Sequence, residues 1–254
     1  MSSANNDLKE IIEGFAPISL NQMDRVKLMR RVDKKFVIPA GKLPLLLRKA
    51  LVDYYILEIS GIREQVYQTT YFDTNDYAMY TLHHNRRKNR HKIRVRKYVS
   101  SGIEFLEVKW KTNKGETIKS RIKKPEGKEM LDFVGSDEFI REHTPYDAQL
   151  LWPKLGNRFI RLTLVNKDMS ERITIDYDLT FTDIKYHTQA SDENLSIVEI
   201  KRDRDGRKSP FLSTLSALKI RPAGFSKYCI GLAMLSPEVK VNLFKQRLRE
   251  LNKL

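Results

Sequence analysis

Polar and apolar residues alternate with period two along several stretches of the chain. In RVDKKFVI, Arg31, Asp33 and Lys35 share one face while Val32, Phe36 and Ile38 fall mostly on the other, because strand side chains point alternately to opposite faces. Lys34 interrupts the apolar side. HKIRVRKYV sets Lys92, Arg94 and Arg96 against Ile93 and Val95, and IEFLEVKWK sets Glu107, Lys109 and Lys111 against Leu106, Val108 and Trp110. TIKSRIK, NRFIRLTLV, RITIDYDL and SIVEIKR continue the pattern, with Lys119, Arg121 and Lys123, then Arg161, Arg172, Asp176, Glu199 and Lys201 on the polar sides. These segments predict strands. GKLPLLLRKALVDYY, DEFIREHTPYDAQLLWPKL, SPFLSTLSAL, SKYCIGLAML and PEVKVNLFKQRLREL cluster apolar residues at helical spacing, and Leu20 to Arg30 reads as a helical stretch.

An antiparallel sheet with one charged face in water accounts for any one of these strands. Together they favour another arrangement, because the polar positions are dominated by one sign. Lys35, Lys92, Arg94, Arg96, Lys109, Lys111, Lys119, Arg121, Arg161, Arg172 and Lys201 are met only by Asp33, Glu107, Asp176 and Glu199. Like charges opposed across strands destabilise a sheet unless an anion or carboxylate lies between them. The expected fold class is therefore α+β: a closed antiparallel β-barrel, its charged faces lining a tunnel and its apolar faces outward under packed helices.

Composition widens the same signal. Across 254 residues, 47 Lys and Arg oppose 32 Asp and Glu, a formal net charge of +15. That surplus calls for an anionic partner: nucleic acid, an anionic membrane surface, or a phosphate-rich molecule or polymer. The single cysteine, Cys229, excludes an internal disulfide framework and a multi-thiolate metal site within one chain. Its neighbours Ile230 and Leu232 make it a small core residue. No basic-then-apolar leader and no run of 18 apolar residues occur, so a cytoplasmic location without direct membrane insertion is expected. Without Gly/Ser-rich linkers or repeats, the chain divides into a helical segment over 1–30, one main domain over 31–236 and a C-terminal helix over 237–254. The residues specify no oligomeric state.

In their order, RVDKKFVI, YFDT, HKIRVRKY, FLEVKWK, TIKSRI, RITIDYDLTF, VEIK and FSKYCIG resemble the VTC domain, the catalytic part of the eukaryotic vacuolar transporter chaperone complex. That domain belongs to the triphosphate tunnel metalloenzymes, related to CYTH hydrolases and adenylate cyclases. The likeness runs from Arg31 to Leu235. It implies that Lys35, Arg94, Arg96, Lys109, Lys119, Arg161 and Lys227 grip a triphosphate, with Ser226, Lys111, Arg121 and Lys201 as further substrate-binding residues. It also implies Mn²⁺ or Mg²⁺ on Glu199, assisted by Glu107 or Asp176. For Glu107 a cross-strand ion pair is the competing role, and for Asp176 the orienting of an arginine. Arg31 stands where an acidic residue is usual, Phe159 where Tyr is frequent and Lys111 where some members have His.

The implied activity is a polyphosphate polymerase that transfers the terminal phosphate of ATP to a growing chain. Arg forks bind two oxygens each and Lys supplies point charges, so a ring of both holds a row of phosphates in line. Replacement of the first-strand acid by Arg31 leans away from the alternative, a triphosphatase. A noncatalytic polyphosphate- or RNA-binding module is the third reading. Specific nucleic acid is not expected, because the aromatics mostly alternate away from the basic faces. The run His83 to Lys92 reads as a basic loop whose Arg86, Arg87, Lys88, Arg90 and Lys92 offer an entry or exit path for a polymeric anion. Its His pair lacks a third ligand at zinc spacing.

Overall fold

The computed structural model describes residues 3–23, 31–203 and 209–253. In chain order the elements are α1 (Ser3–Glu13), β1 (Ala16–Ile18), α2 (Leu20–Met23), β2 (Arg31–Pro39), α3 (Leu43–Ala50), β3 (Tyr54–Leu57), β4 (Gln65–Asp73) and α4 (Ala78–His84). They continue with β5 (Arg90–Tyr98), β6 (Glu104–Lys111), β7 (Thr117–Lys124), α5 (Ser136–His143), β8 (Trp152–Asn166), β9 (Glu171–Asp183) and β10 (Gln189–Asp192). β11 (Leu195–Asp203), α6 (Pro210–Ala217), α7 (Lys227–Leu235) and α8 (Lys245–Leu251) complete the chain. Of the helix expected over Leu20 to Arg30, α2 forms the start and residues 24–30 lie outside the described residues.

Two compact units emerge, one from residues 1–65, 160–179 and 192–225, the other from 66–159, 180–191 and 226–254. In the first, β11 lies between β2 and β9 and pairs antiparallel with both, and β3 joins β8 to β1. Alternation puts Phe36, Ile38, Leu162, Leu164, Ile173, Ile175, Val198 and Ile200 on one side, where α1, α3 and α6 bury them with Ile12, Leu46, Leu47 and Phe211. In the second unit the order of neighbours is β4-β5-β6-β7. There Phe72, Ile93, Val95, Leu106 and Val108 are buried beneath Met79 of α4 and Phe139 and Ile140 of α5. In both units the helices cover the apolar face, as the alternation predicts, and the charged face is the one left uncovered by them.

Closure of the barrel is not achieved by hydrogen bonds. Among the described residues the path of paired strands ends at β2 and at β7. Both ends are blunted against further pairing. The Ala223 N–H donates to the Lys35 carbonyl at 2.7 Å, placing a loop along β2, and β7 carries Lys119, Arg121, Lys123 and Lys124, the charged composition that protects an edge strand.

Three predicted helices shorten: in GKLPLLLRKALVDYY the α-helix covers Leu43–Ala50, and the segment's last two residues, Tyr54 and Tyr55, begin strand β3. In DEFIREHTPYDAQLLWPKL the α-helix ends at His143, because Thr144 precedes Pro145 and is extended, at φ −148° and ψ 160°, and only a short 3-10 turn over Ala148–Leu150 follows. Trp152 onward belongs to the 15-residue strand β8. PEVKVNLFKQRLREL gives a regular helix only over Lys245–Leu251. In the second unit α7 packs closely on β8 and β9, where a Cβ on Gly231 would lie 2.7 Å from both Leu155 and Phe181. Cys229 is buried there, as expected, with its Sγ 3.0 Å from His83 Nδ1.

Asp73, in the YFDT motif, ties this unit together. It is 0% exposed and accepts bonds from the Thr74, Met79 and Tyr80 N–H groups at 2.8, 2.9 and 2.9 Å and from the Tyr228 hydroxyl at 2.5 Å. It thus caps the start of α4 and anchors α7 to β4. Asp73→Ala leaves four donors, three of them buried, without this acceptor and is expected to cost about 3 kcal/mol, seen as a melting midpoint lowered by roughly 6 to 12 °C.

Candidate functional site

In the first unit the uncovered face centres on Glu199. Register places Glu199 between Lys35 on β2 and Thr174 on β9, and Lys201 between Asp33 and Arg172. The Glu199 carboxylate pairs with Lys35, and its Oε2 lies 3.4 Å from Lys201 Nζ. Burial alone would raise this carboxyl, but Lys201, Lys35 and Arg161 outweigh it and hold it down at about 2. Arg161 reaches Asp176 through two parallel bonds, Nε to Oδ1 at 2.5 Å and Nη2 to Oδ2 at 2.8 Å. Asp176, almost fully buried, fixes the plane of that guanidinium. Burial, with Arg161 and Arg172 nearby, lowers the Lys201 ammonium despite Glu199.

The second unit's charged face is ordered in rows across β5, β6 and β7. Lys92 faces Lys109, which faces Lys119; Arg94 faces Glu107, which faces Arg121; Arg90 faces Lys111. Glu107, 1% exposed, is the carboxylate that binds these cations together: Arg94 Nε and Nη2 approach its Oε2 at 2.7 and 2.6 Å, and Lys119 Nζ lies 2.6 Å from Oε1. Burial pushes its pKa up, yet Arg94, Arg96 and Lys119 bring it down to about 2. Arg96 is nearly buried, donating to Thr69 Oγ1 at 3.3 Å with its guanidinium 5.5 Å from the Tyr67 ring. Tyr67 in turn stacks on Phe159 at 5.3 Å, and Lys227 Nζ sits 4.2 Å from that same ring.

Ser226 caps α7, its Oγ accepting the Cys229 N–H at 3.3 Å, and also accepts from Lys92 Nζ at 2.8 Å. Lys109, Lys111 and Arg121 are exposed on the strands, with the Arg121 guanidinium 4.5 Å over the Phe105 ring.

The expected residues therefore fall into two sets. Lys35, Arg161, Asp176, Glu199 and Lys201 come together on the first unit's face; Arg94, Arg96, Glu107, Lys119, Ser226 and Lys227 on the second's, with Lys109, Lys111 and Arg121 in adjoining rows. Lys92 and Tyr71 join the second set although the sequence reading did not include them among the site residues. Tyr71 Oη accepts from Arg94 Nη1 at 3.5 Å, and its pKa is lowered because Arg94, Arg96, Lys227 and Lys92 outweigh burial. The signal was present in QVYQTTYFD, where Tyr67, Thr69 and Tyr71 share a face. The expectation that aromatics point away from the basic side fails at these two tyrosines.

Helix-covered antiparallel strands carry on their other faces Lys and Arg crowded around a few carboxylates, an arrangement whose surplus of cations is chemically suited to an anion. The VTC domain family model matches residues 30–236, and the chain belongs to the VTC domain family. No curated protein sequence matches it. Among solved structures, a Hippeastrum protein described as an adenylyl cyclase with a dominant triphosphatase activity is 13% identical, covers 83% of this chain and 99% of its own, and superposes with a TM-score of 0.48. A Vibrio parahaemolyticus protein described as an adenylate cyclase is 11% identical over 80% of this chain and 99% of its own, with a TM-score of 0.47. A similarly described Bacillus halodurans protein is 10% identical over 78% and 94%, with a TM-score of 0.46. No helix among the described residues is long and apolar enough to cross a membrane.

Proposed function

We propose that this chain is a polyphosphate polymerase, transferring the terminal phosphoryl group of ATP to the end of an inorganic polyphosphate chain. The observation that carries the reading is the VTC family match over residues 30–236. The cation-rich faces fit it chemically. In the transfer, an oxygen of the chain's terminal phosphate forms a bond to the γ-phosphorus while the bond from that phosphorus to the β,γ-bridging oxygen breaks, and ADP leaves with the electron pair. The attacking phosphate oxygen is already ionised, so no side chain has to remove a proton. Catalysis then reduces to alignment and to stabilising charge that spreads over the equatorial oxygens.

Arg94 and Arg96, held in fixed planes by Glu107, Thr69 and Tyr67, are suited to bidentate grip on phosphoryl oxygens. Lys35, Lys109, Lys119 and Lys227 supply point charges, and Arg161 is oriented by Asp176 in the same manner. Lys111, Arg121, Lys201 and Ser226 are further substrate contacts in this reading.

Among the described residues no three His, Cys, Asp or Glu side chains gather as a metal cage, and Glu107 and Asp176 are engaged by arginines. The donor set fits an ion that takes most of its ligands from phosphates and water and one from the protein, which is how Mg²⁺ and Mn²⁺ behave with nucleotides. Glu199, ionised and partly exposed, would hold it. A divalent cation held there would supply positive charge to offset the negative charge that builds on the leaving diphosphate.

Incubation of the purified protein with ATP and Mn²⁺ is expected to yield ADP and long polyphosphate visible on a gel. Release of orthophosphate alone would assign a triphosphatase instead.

A further inference from the structure

We propose that the turn Arg86–Lys88, which continues the cationic stripe past the ends of β5 and β6, forms a docking surface for the polymeric chain, outside the residues assigned to the substrate. The inference rests on the polyphosphate reading above and extends it to a separate binding surface. Its basis is the register of the second unit. Arg96, Arg94, Lys92 and Arg90 occupy alternate positions of β5, so cations recur along one side of the strand for about 20 Å. Lys109 faces Lys92 and Lys111 faces Arg90, which doubles the stripe on β6. Beyond Arg90 the chain continues directly into the exposed Lys88, Arg87 and Arg86. Between residues 83 and 94 the sequence contains no acidic residue, and between 109 and 119 only Glu116.

The turn is also fixed in place. The Arg86 N–H donates to the His83 carbonyl at 3.0 Å and the Arg87 N–H to the Leu82 carbonyl at 2.9 Å. Arg90 Nη1 donates to the Arg87 carbonyl at 2.7 Å, and Trp110 Nε1 to Asn89 Oδ1 at 2.6 Å. Arg86 and Asn89 are left-handed, at φ 56° and 54°, an arrangement that a merely solvated basic loop does not need. Three exposed cations are thus presented at one end of the stripe with no carboxylate among them. A short triphosphate has no charge left to reach them once its phosphates are engaged by Arg94 and Arg96. A long polyphosphate does.

Nucleic acid fits less well. Trp110 stacks on His91 at 5.7 Å and is tied to Asn89, so it is not presented as a platform for bases, and the turn itself carries no aromatic residue.

The test compares wild type with the triple variant Arg86→Gln, Arg87→Gln, Lys88→Gln, titrating each with inorganic triphosphate, long-chain polyphosphate and single-stranded RNA of equal charge at several salt concentrations. The expected result is triphosphate affinity unchanged within twofold, long-chain affinity at least tenfold weaker, and a salt slope shallower by about two, from roughly 0.7 per lost contact on a flexible polyanion. Equal long-chain affinity in the two proteins, an equal loss for triphosphate, or RNA binding as tight as polyphosphate overturns the proposal. A wild type that binds long-chain polyphosphate but makes none from ATP sinks the polymerase reading alone and leaves this surface to be judged by the titrations.

Discussion

Glu199→Gln is expected to reduce polyphosphate synthesis on the order of 10³-fold while triphosphate binding in the absence of metal holds or tightens. The size follows from losing the ligand of a cation that would stabilise charge on the transferring and leaving phosphates, where one lost electrostatic contact costs about 10² to 10³. The split between turnover and binding is what identifies the role. Glu199 pairs with Lys35 and Lys201, so removing its charge frees two ammonium groups for an anion. Were Glu199 only a scaffold for those lysines, Gln would disorder them and weaken binding along with turnover. Were it a metal ligand, binding of the bare anion would survive and the dependence on Mn²⁺ would change. Glu199→Asp supplies the matching control: the carboxylate is retained but withdrawn by one methylene, and partial activity that rises with added Mn²⁺ is expected. Equal loss of metal-free binding and turnover in Glu199→Gln would discard the assignment.

The same pair shows how far the sequence could be read. Alternation in RVDKKFVI and SIVEIKR placed Lys35 and Glu199 on polar sides of their strands, and both are there. That they face each other depends on β11 pairing with β2 across the 155 residues between them, a register that no local pattern encodes. Arg161 and Asp176 sit on adjacent strands β8 and β9, so their pairing was within reach as the orienting role considered for Asp176, and the two parallel bonds support it. The row of Lys92, Lys109 and Lys119 was hidden for a different reason. Each residue was visible on its own strand, but only the register reveals that like charges are opposed and that Glu107, two residue pairs away, comes within reach of Lys119. Tyr67 and Tyr71 were lost because QVYQTTYFD mixes polar and aromatic residues on both sides, which blurs a period-two signal that charge made clear elsewhere. Period-two alternation is the same in an edge strand as in a paired one, so it carries no signal that the path of hydrogen-bonded strands ends at β2 and β7 among the described residues.

Glu107 is where these opposed charges have their largest effect on stability. Its pKa is lowered from the ordinary 4.5 to about 2, so its contribution is fully present above pH 4.5 and is lost as pH falls from there toward 2. Two and a half units correspond to roughly 3 kcal/mol; since Arg94 and Lys119 are 19% and 43% exposed, solvent screening reduces this to about 2 kcal/mol. Glu107→Gln, which keeps the shape and removes the charge, is therefore expected to lower the melting midpoint at pH 7 by roughly 4 to 8 °C. The gap to wild type should narrow as both proteins are taken down toward pH 2, because the wild-type carboxyl takes up its proton as pH falls through its lowered pKa. A gap that persists unchanged at pH 2 would trace the loss to packing. Inorganic triphosphate separates structure from function further. In the variant, Arg94, Lys119 and Arg96 have lost their internal counter-ion, so an added anion takes its place and should raise the melting midpoint by more than it does in wild type. The carboxylate thus supplies the counter-charge that an added anion would otherwise supply, and the stability it confers is set against the affinity that its absence would give.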